Sequence, residues 1–378
     1  MIWIIINPMN RNFLFATNLL ANTIIGAGIF SLPFVFNVVG LGNGILYLIF
    51  FVVVYCAIHL MYARILQEGE PNHRFAYFAE KYLGKRFGGA IAYLVVVELL
   101  LVLTVYLILA PSFLGILFGI WGSAAILLFW AVSSLFIFVD LERLGWVATL
   151  SVFSIVAIIA VVFQHSLAYE FTGHFFNKLS VFAFMLPFGP LLFALNGRPG
   201  ISKMVDLWRA SKETKKAFAL RSAVLAGTLI SAAVYLFFVV SVLKITPVPT
   251  EDAVSGLSLS MPPWITVLLG ALGLLAIWTS YFMIGANVRD ILREDVRFSR
   301  ITSAFFVLFV PLALYFLGVS QFIKAIGFVG GVLLSFEGIF IVMMWRRAFP
   351  KNKAHSISFV LYLVFLCAII YQVAQFFL

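Results

Sequence analysis

Asn22-Thr23-Ile24-Ile25-Gly26-Ala27-Gly28-Ile29-Phe30-Ser31-Leu32-Pro33 sits inside an apolar run extending over about 13–37. The run is long enough to cross a bilayer as a helix. Its middle is badly suited to a continuous one. Gly26 and Gly28 relax the backbone, and Pro33 lacks a donor N–H. Asn18, Asn22 and Thr23 add polar groups on the approach to the glycines. Backbone amides and carbonyls freed at this depth are tolerated only where they are buried in protein or line a watery cavity. The stretch therefore predicts a membrane helix broken at Gly26–Gly28.

The rest of the chain supports a membrane setting. Of 378 residues, 63% are hydrophobic and 11% charged, with a mean hydropathy of +1.11. A soluble domain carries about 25% charged residues. So apolar a chain cannot cover itself in water, whereas lipid requires an apolar exterior. Cys56 and Cys367 both lie in apolar runs and suggest neither a disulfide framework nor a zinc site. Residues 1–6 are apolar but short, and Arg11 follows them, which is the wrong order for a cleaved signal. They read as an interfacial stub.

Spanning runs are expected at 13–37, 40–66, 88–112, 120–139, 146–164, 181–208, 218–243, 264–290, 299–318, 321–345 and 356–377. Charge orients them. Of the 25 lysines and arginines, Lys178, Lys244 and Lys324 fall on one side and Arg198 falls within a span; all the others fall on the opposite side. By the positive-inside rule the N-terminus is cytoplasmic, and the odd span count puts the C-terminus outside. The net charge of +10 is thus a topology signal that requires no nucleic-acid partner.

A second break is expected in the sixth span, at Pro187, Gly189, Pro190 and then Asn196-Gly197-Arg198-Pro199-Gly200. Spans one to five (13–164) and six to ten (181–345) are similar in length, and an odd number of spans inverts the second set. Paired breaks in corresponding spans of an inverted repeat point to a substrate site near the bilayer midplane. The free N–H groups and positive helix end at Gly26–Phe30 suit a carboxylate. The freed carbonyls suit a cation or an ammonium group. The chain reads as one transmembrane transport domain over 1–378, with 356–377 as an additional helix.

At these residues the chain resembles the amino acid/auxin permease family of the amino acid–polyamine–organocation superfamily. Asn22–Pro33 resembles that family's first-helix signature. Phe188-Gly189-Pro190-Leu191-Leu192-Phe193-Ala194-Leu195-Asn196-Gly197 resembles its sixth helix, and Thr279-Ser280-Tyr281-Phe282 resembles a segment of its eighth. The resemblance implies an all-α LeuT-type 5+5 inverted-repeat bundle with helices one and six broken. It implies a non-enzymatic secondary transporter in the cytoplasmic membrane that carries amino acids, neutral or aromatic, coupled to sodium or protons and needing no cofactor. Gly26, Ala27 and Gly28 would offer backbone to the substrate carboxylate. Thr23, Ile29, Tyr106, Phe193, Asn196 and Gly197 would complete the pocket, and Arg198 is placed there by its own charge, not by the resemblance. Asn22, the carbonyls of Ile25 and Ala276, and the hydroxyls of Thr279 and Ser280 would match a sodium site, donors that fit a hard cation. The chain departs from the family in Ser202-Lys203, where relatives carry Pro-Glu, and in Arg198 within the break.

Intramembrane charge is functional by default. Arg198 would meet an acidic group, either on the substrate or on Glu98. Glu98 and Glu337 are carboxyls able to carry a coupling proton. His59 reads as a packed, hydrogen-bonded histidine. No His-Glu-x-x-His or Gly-x-Ser-x-Gly motif argues for a membrane enzyme, and Gly256-Leu257-Ser258-Leu259-Ser260 lacks the second glycine. No filter or ring of like residues argues for a channel. A non-transporting sensor or scaffold of the same fold, or a carrier of another small organic solute, stands beside the amino acid reading. The lipid bilayer is the one partner the sequence demands besides its substrate, and nothing in it sets an oligomeric state.

Overall fold

The computed structural model describes residues 8–69, 75–138, 145–213, 218–351 and 355–377. The expected N-terminal stub and the basic residues Arg74, Arg143, Lys215, Lys216 and Lys353 lie outside these. Every regular element among the described residues is helical. In chain order these are α1 (Pro8–Ile24), a 3-10 turn (Ala27–Ser31), α2 (Leu32–Val39), α3 (Leu41–Gln67), α4 (Phe75–Leu83), α5 (Lys85–Phe118), α6 (Gly122–Phe136) and α7 (Gly145–Ser166). Then come α8 (Val181–Met185), α9 (Phe188–Ala194), α10 (Arg198–Glu213), α11 (Leu220–Ile245), α12 (Val254–Ser260), α13 (Pro263–Glu294) and α14 (Arg300–Phe316). The chain closes with α15 (Phe322–Phe328), a π-helical turn (Val329–Leu334), α16 (Ser335–Ala348) and α17 (His355–Phe377).

Six helices are long and apolar enough to cross a membrane: α3, α5, α11, α13, Phe322–Ala348 and α17. Arg11–Ile24 and Ala27–Val39 form a seventh when counted as one span bent by 50°. Gly122–Phe136, Phe153–Ser166 and Arg300–Phe316 are shorter and also apolar. Large apolar side chains stand on the outside, including Leu135, Ile301 and Phe359. Such a surface drives aggregation in water and is native in lipid. Two expected connections carry helices of their own. Within 67–87 lies α4, and within 244–263 lies α12. α5 also runs on past the expected end at 112, through Pro111 to Phe118. A proline removes one donor from a helix but does not oblige it to stop.

In the core, α13 packs on α5 and α7, while α1 packs on α11 and α10. α9 lies against the π turn and α15. That last packing depends on glycine. A Cβ on Gly330 would come 1.9 Å from the Gly189 carbonyl oxygen, and one on Gly189 would come 2.6 Å from Gly327 Cα. Backbone meets backbone here, as small residues permit between membrane helices. The π turn in this strip has a hydrogen bond from Ser335 Oγ to the Gly330 carbonyl, 3.3 Å long.

Candidate functional site

The chain leaves helical geometry where glycine permits it. α1 ends at Ile24, and Gly26 is extended at φ −143°, ψ −157°. Ile29 N–H then returns to the Gly26 carbonyl at 3.2 Å, and Ser31 Oγ donates to the Gly28 carbonyl at 2.7 Å. In the second interruption α9 stops at Ala194 and α10 starts at Arg198. Asn196 Oδ1 accepts from Arg198 N–H at 3.2 Å and so serves the first turn of α10.

The two interruptions lie against each other. A Cβ on Gly28 would come 2.7 Å from Ala194 Cα and 3.1 Å from Phe193 Cδ1. A Cβ on Gly197 would meet Ile24 Cγ1 at 2.8 Å, and one on Gly200 would meet Thr23 Oγ1 at 2.7 Å. Tyr235 of α11 joins them. Its hydroxyl lies 2.6 Å from the Ile24 carbonyl and 2.7 Å from the Ala194 carbonyl, the last residues of α1 and α9. One O–H has a single proton to give, so two orphan carbonyls compete for one donor. Each keeps acceptor capacity for another cationic or N–H group.

Residues expected at the substrate site do gather here. Gly26, Phe193 and Asn196 are partly exposed, while Ala27, Gly28 and Ile29 are buried. Thr23 turns its hydroxyl back to the Leu19 carbonyl at 2.8 Å. Buried Tyr106 of α5 hydrogen-bonds Ser280 of α13. Ser280, expected at an ion site, is thus tied to a residue expected at the substrate site.

The residues expected at a sodium site come from two stretches, Asn22 on α1 with Ile25 just after it, and Ala276, Thr279 and Ser280 on α13. Asn22 stands on an exposed face of α1. Thr279 is fully buried, with its hydroxyl 2.9 Å from the Leu275 carbonyl and 3.0 Å from that of Ala276. Among the described residues no three His, Cys, Asp or Glu side chains come together as metal ligands.

Two further groups close the site from below the second break. His59 of α3 is 1% exposed. Its Nδ1 lies 3.0 Å from Thr228 Oγ1, and Thr228 Oγ1 donates to the Val224 carbonyl at 3.0 Å. Its Nε2 accepts the Gly197 N–H at 3.2 Å. The directions are forced. Thr228 has spent its proton on Val224, so it accepts from Nδ1–H, which leaves Nε2 with a lone pair for Gly197. His59 is therefore a neutral imidazole that docks the start of α10 on α3. The second group is Arg198. Its Nε lies 2.5 Å from Glu337 Oε2 and its Nη2 lies 4.0 Å from Glu98 Oε2. An acidic group for Arg198 was legible in the sequence. Tyr235 was not, because nothing in an apolar helix marks one tyrosine as the bridge between two distant breaks.

Among the described residues, an all-helical bundle with a large apolar outer surface and two apposed helix interruptions is the architecture of a multi-spanning membrane protein. Its fold matches a crystal structure of MhsT in complex with L-phenylalanine, at a TM-score of 0.57 and 12% sequence identity, covering 97% of this chain and 98% of that one. This is the LeuT-type fold. Residues 9–244 match the family model described as transmembrane amino acid transporter protein, and the chain belongs to that family. No curated protein sequence matches it.

Proposed function

We propose that this protein is a secondary active transporter that carries a neutral or aromatic amino acid across the cytoplasmic membrane by alternating access. In this reading eleven spans cross the membrane: the six long helices, the bent first span, the three shorter apolar helices, and a sixth span assembled from α8, α9 and α10. The first and sixth spans are the broken pair of a 5+5 inverted repeat.

The observation that carries the reading is the apposition of the breaks on the Tyr235 hydroxyl. An amino acid zwitterion presents a carboxylate and an ammonium group close together. The amides that follow Gly26, at the head of the 3-10 turn, suit the carboxylate. The Ile24 and Ala194 carbonyls, each sharing one donor, suit the ammonium. Phe193, part-exposed beside them, supplies an apolar wall for the side chain. Family membership supports the substrate class.

The test is a thermal-shift screen of purified protein against twenty amino acids, with and without sodium and at two pH values. A ligand that binds only the native state raises its stability by RT ln(1 + [L]/Kd), about 2.7 kcal/mol at a hundredfold excess over Kd. Selective stabilisation by a subset of neutral or aromatic amino acids is expected. Uniform indifference to all twenty would sink the substrate class.

A further inference from the structure

Three charged side chains from three helices meet beside the second break. Arg198 opens α10, Glu98 lies within α5, and Glu337 lies in the first turn of α16. Both glutamates are 3% exposed. The Arg198 side chain is 11% exposed, and its guanidinium lies 5.0 Å over the Phe75 ring of α4. Arg198 does not serve the two carboxylates equally, at 2.5 Å to Glu337 and 4.0 Å to Glu98. Glu98 Oε2 is buried with no hydrogen-bond partner, yet the Glu98 and Glu337 carboxyls lie within hydrogen-bond reach of each other.

The arithmetic of charge and donors points one way. Two ionised carboxylates against one guanidinium leave a net negative charge buried in the membrane, where an uncompensated charge is strongly disfavoured. Two ionised carboxylates also have no donor between them. A single proton on the pair removes both defects, because it neutralises the triad and supplies the missing hydrogen bond. We propose that the Glu98–Glu337 pair, clamped by Arg198, is a proton-binding site, and that the proton it holds is the coupling ion of transport. This rests on the transport reading above and names its driving ion.

The placement gives the proton mechanical consequence. Arg198 is the first residue of α10, and its N–H is capped by Asn196 in the break itself. With the pair protonated, the neutral triad holds α10 against α5 and α16. Loss of the proton to water at the Arg198 edge leaves two repelling carboxylates that one guanidinium cannot satisfy together. The start of α10 and the break it anchors are then released. Among the described residues, the ionisable groups near the pair are Arg198 of α10 and the tyrosines Tyr55 and Tyr62 of α3, with Asp206 of α10 beyond Tyr62. His59 of α3 is engaged by Gly197 and Thr228. Among the described residues no second cation in this group offsets the extra carboxylate.

The experiment uses the full chain in proteoliposomes loaded with labelled amino acids, comparing wild type with Glu98→Gln and Glu337→Gln. Both uptake driven by an inside-alkaline gradient and exchange without a gradient are measured. One pH unit should drive about tenfold accumulation if one proton accompanies each substrate. Wild type should accumulate on the pH gradient and not on a sodium gradient. Each Gln variant, which mimics the protonated carboxyl, should lose that accumulation, and its exchange should no longer vary with pH. Wild-type accumulation indifferent to pH, or normal proton-driven accumulation by both variants, overturns the proposal. If no amino acid is exchanged by wild type at all, the transport reading falls, and infrared titration of the purified protein decides the proton site by itself. A buried carboxylic-acid band that titrates in wild type and vanishes in both variants supports the site, and its absence overturns it. Monodisperse elution of each variant separates lost coupling from lost folding.

Discussion

His59 shows how much one buried side chain can fix. Gly197 N–H sits at a break, where no helical carbonyl is available to it, and the imidazole Nε2 takes the place of that carbonyl. Replacing His59 with Ala would leave that amide and the Thr228 hydroxyl facing a void. An unsatisfied buried donor costs about 1–3 kcal/mol, and the emptied volume adds to that. A fall of a few degrees in the melting temperature of His59→Ala is expected, with amide exchange at Gly197 raised more than elsewhere in α10. The sequence identified this histidine as packed and hydrogen-bonded, because a lone histidine in an apolar helix needs partners. It did not identify Gly197 as the partner, since 138 residues separate the two. Gly28 is the opposite case, legible from the start. Even one methyl there first meets backbone, at 2.7 Å from Ala194 Cα, so turning the Phe193 ring aside would not relieve the clash. Gly28→Ala should therefore force the breaks apart. Overpacking of this kind costs about 1–3 kcal/mol, and amino acid uptake per folded molecule should fall more steeply than stability. Uptake equal to wild type in that variant would show that the close approach has no part in binding.

At the scale of helices, α11 keeps the two breaks in register. It packs on α1, α3 and α7, and Tyr235 extends from it to the last carbonyl of α1 and the last carbonyl of α9. Ser231, one turn earlier, lies 3.4 Å from the Ala21 carbonyl while donating to its own helix at 2.9 Å. Tyr235→Phe keeps the ring and removes only the hydroxyl, so packing is conserved. The loss is the hydrogen bond, about 0.5–1.5 kcal/mol. Two carbonyls then lack their shared donor, and substrate ammonium becomes their sole polar partner. The expected signature is a change in the apparent affinity for amino acid that exceeds the change in melting temperature. Equal, proportionate changes would mark Tyr235 as purely structural. The breaks themselves were visible as glycine and proline punctuation in apolar runs. The strip of Gly189, Gly327 and Gly330 that seats α9 on the π turn was not, because contacts between distant glycines leave no periodic trace in a sequence. Nor could spacing along the chain show that Glu98 and Glu337 touch.

Across the whole molecule, the two ends of the bundle differ. At one end Phe30, just past the first break, is wedged edge-on between Phe113 at 5.8 Å and Phe238 at 6.1 Å. The short helix α12 covers this plug with Val254 and Leu257, and only about 10 Å³ of space remains among them. Asp252 fastens α12 by accepting from Ser112 of α5 at 2.5 Å and from Ser255 at 2.7 Å. At the other end Arg11, Asn18 and Asn22 are exposed along α1. Polar side chains on one face of a membrane helix belong to a watery cleft and not to lipid. In the proposed orientation, with the N-terminus cytoplasmic, the plugged end faces outside and the polar face of α1 faces the cytoplasm. Both statements are tested by one labelling experiment. Cys56 and Cys367 are first replaced with serine, and a single cysteine is then placed at Asn22 or at Leu259 of α12, which is 88% exposed. A membrane-impermeant maleimide should label Asn22→Cys only in inside-out vesicles and Leu259→Cys only in right-side-out vesicles. Exchange of the two patterns would invert the orientation. Protection of Asn22→Cys from both sides would mean that its face of α1 is covered, and that the inner cleft is closed in the membrane.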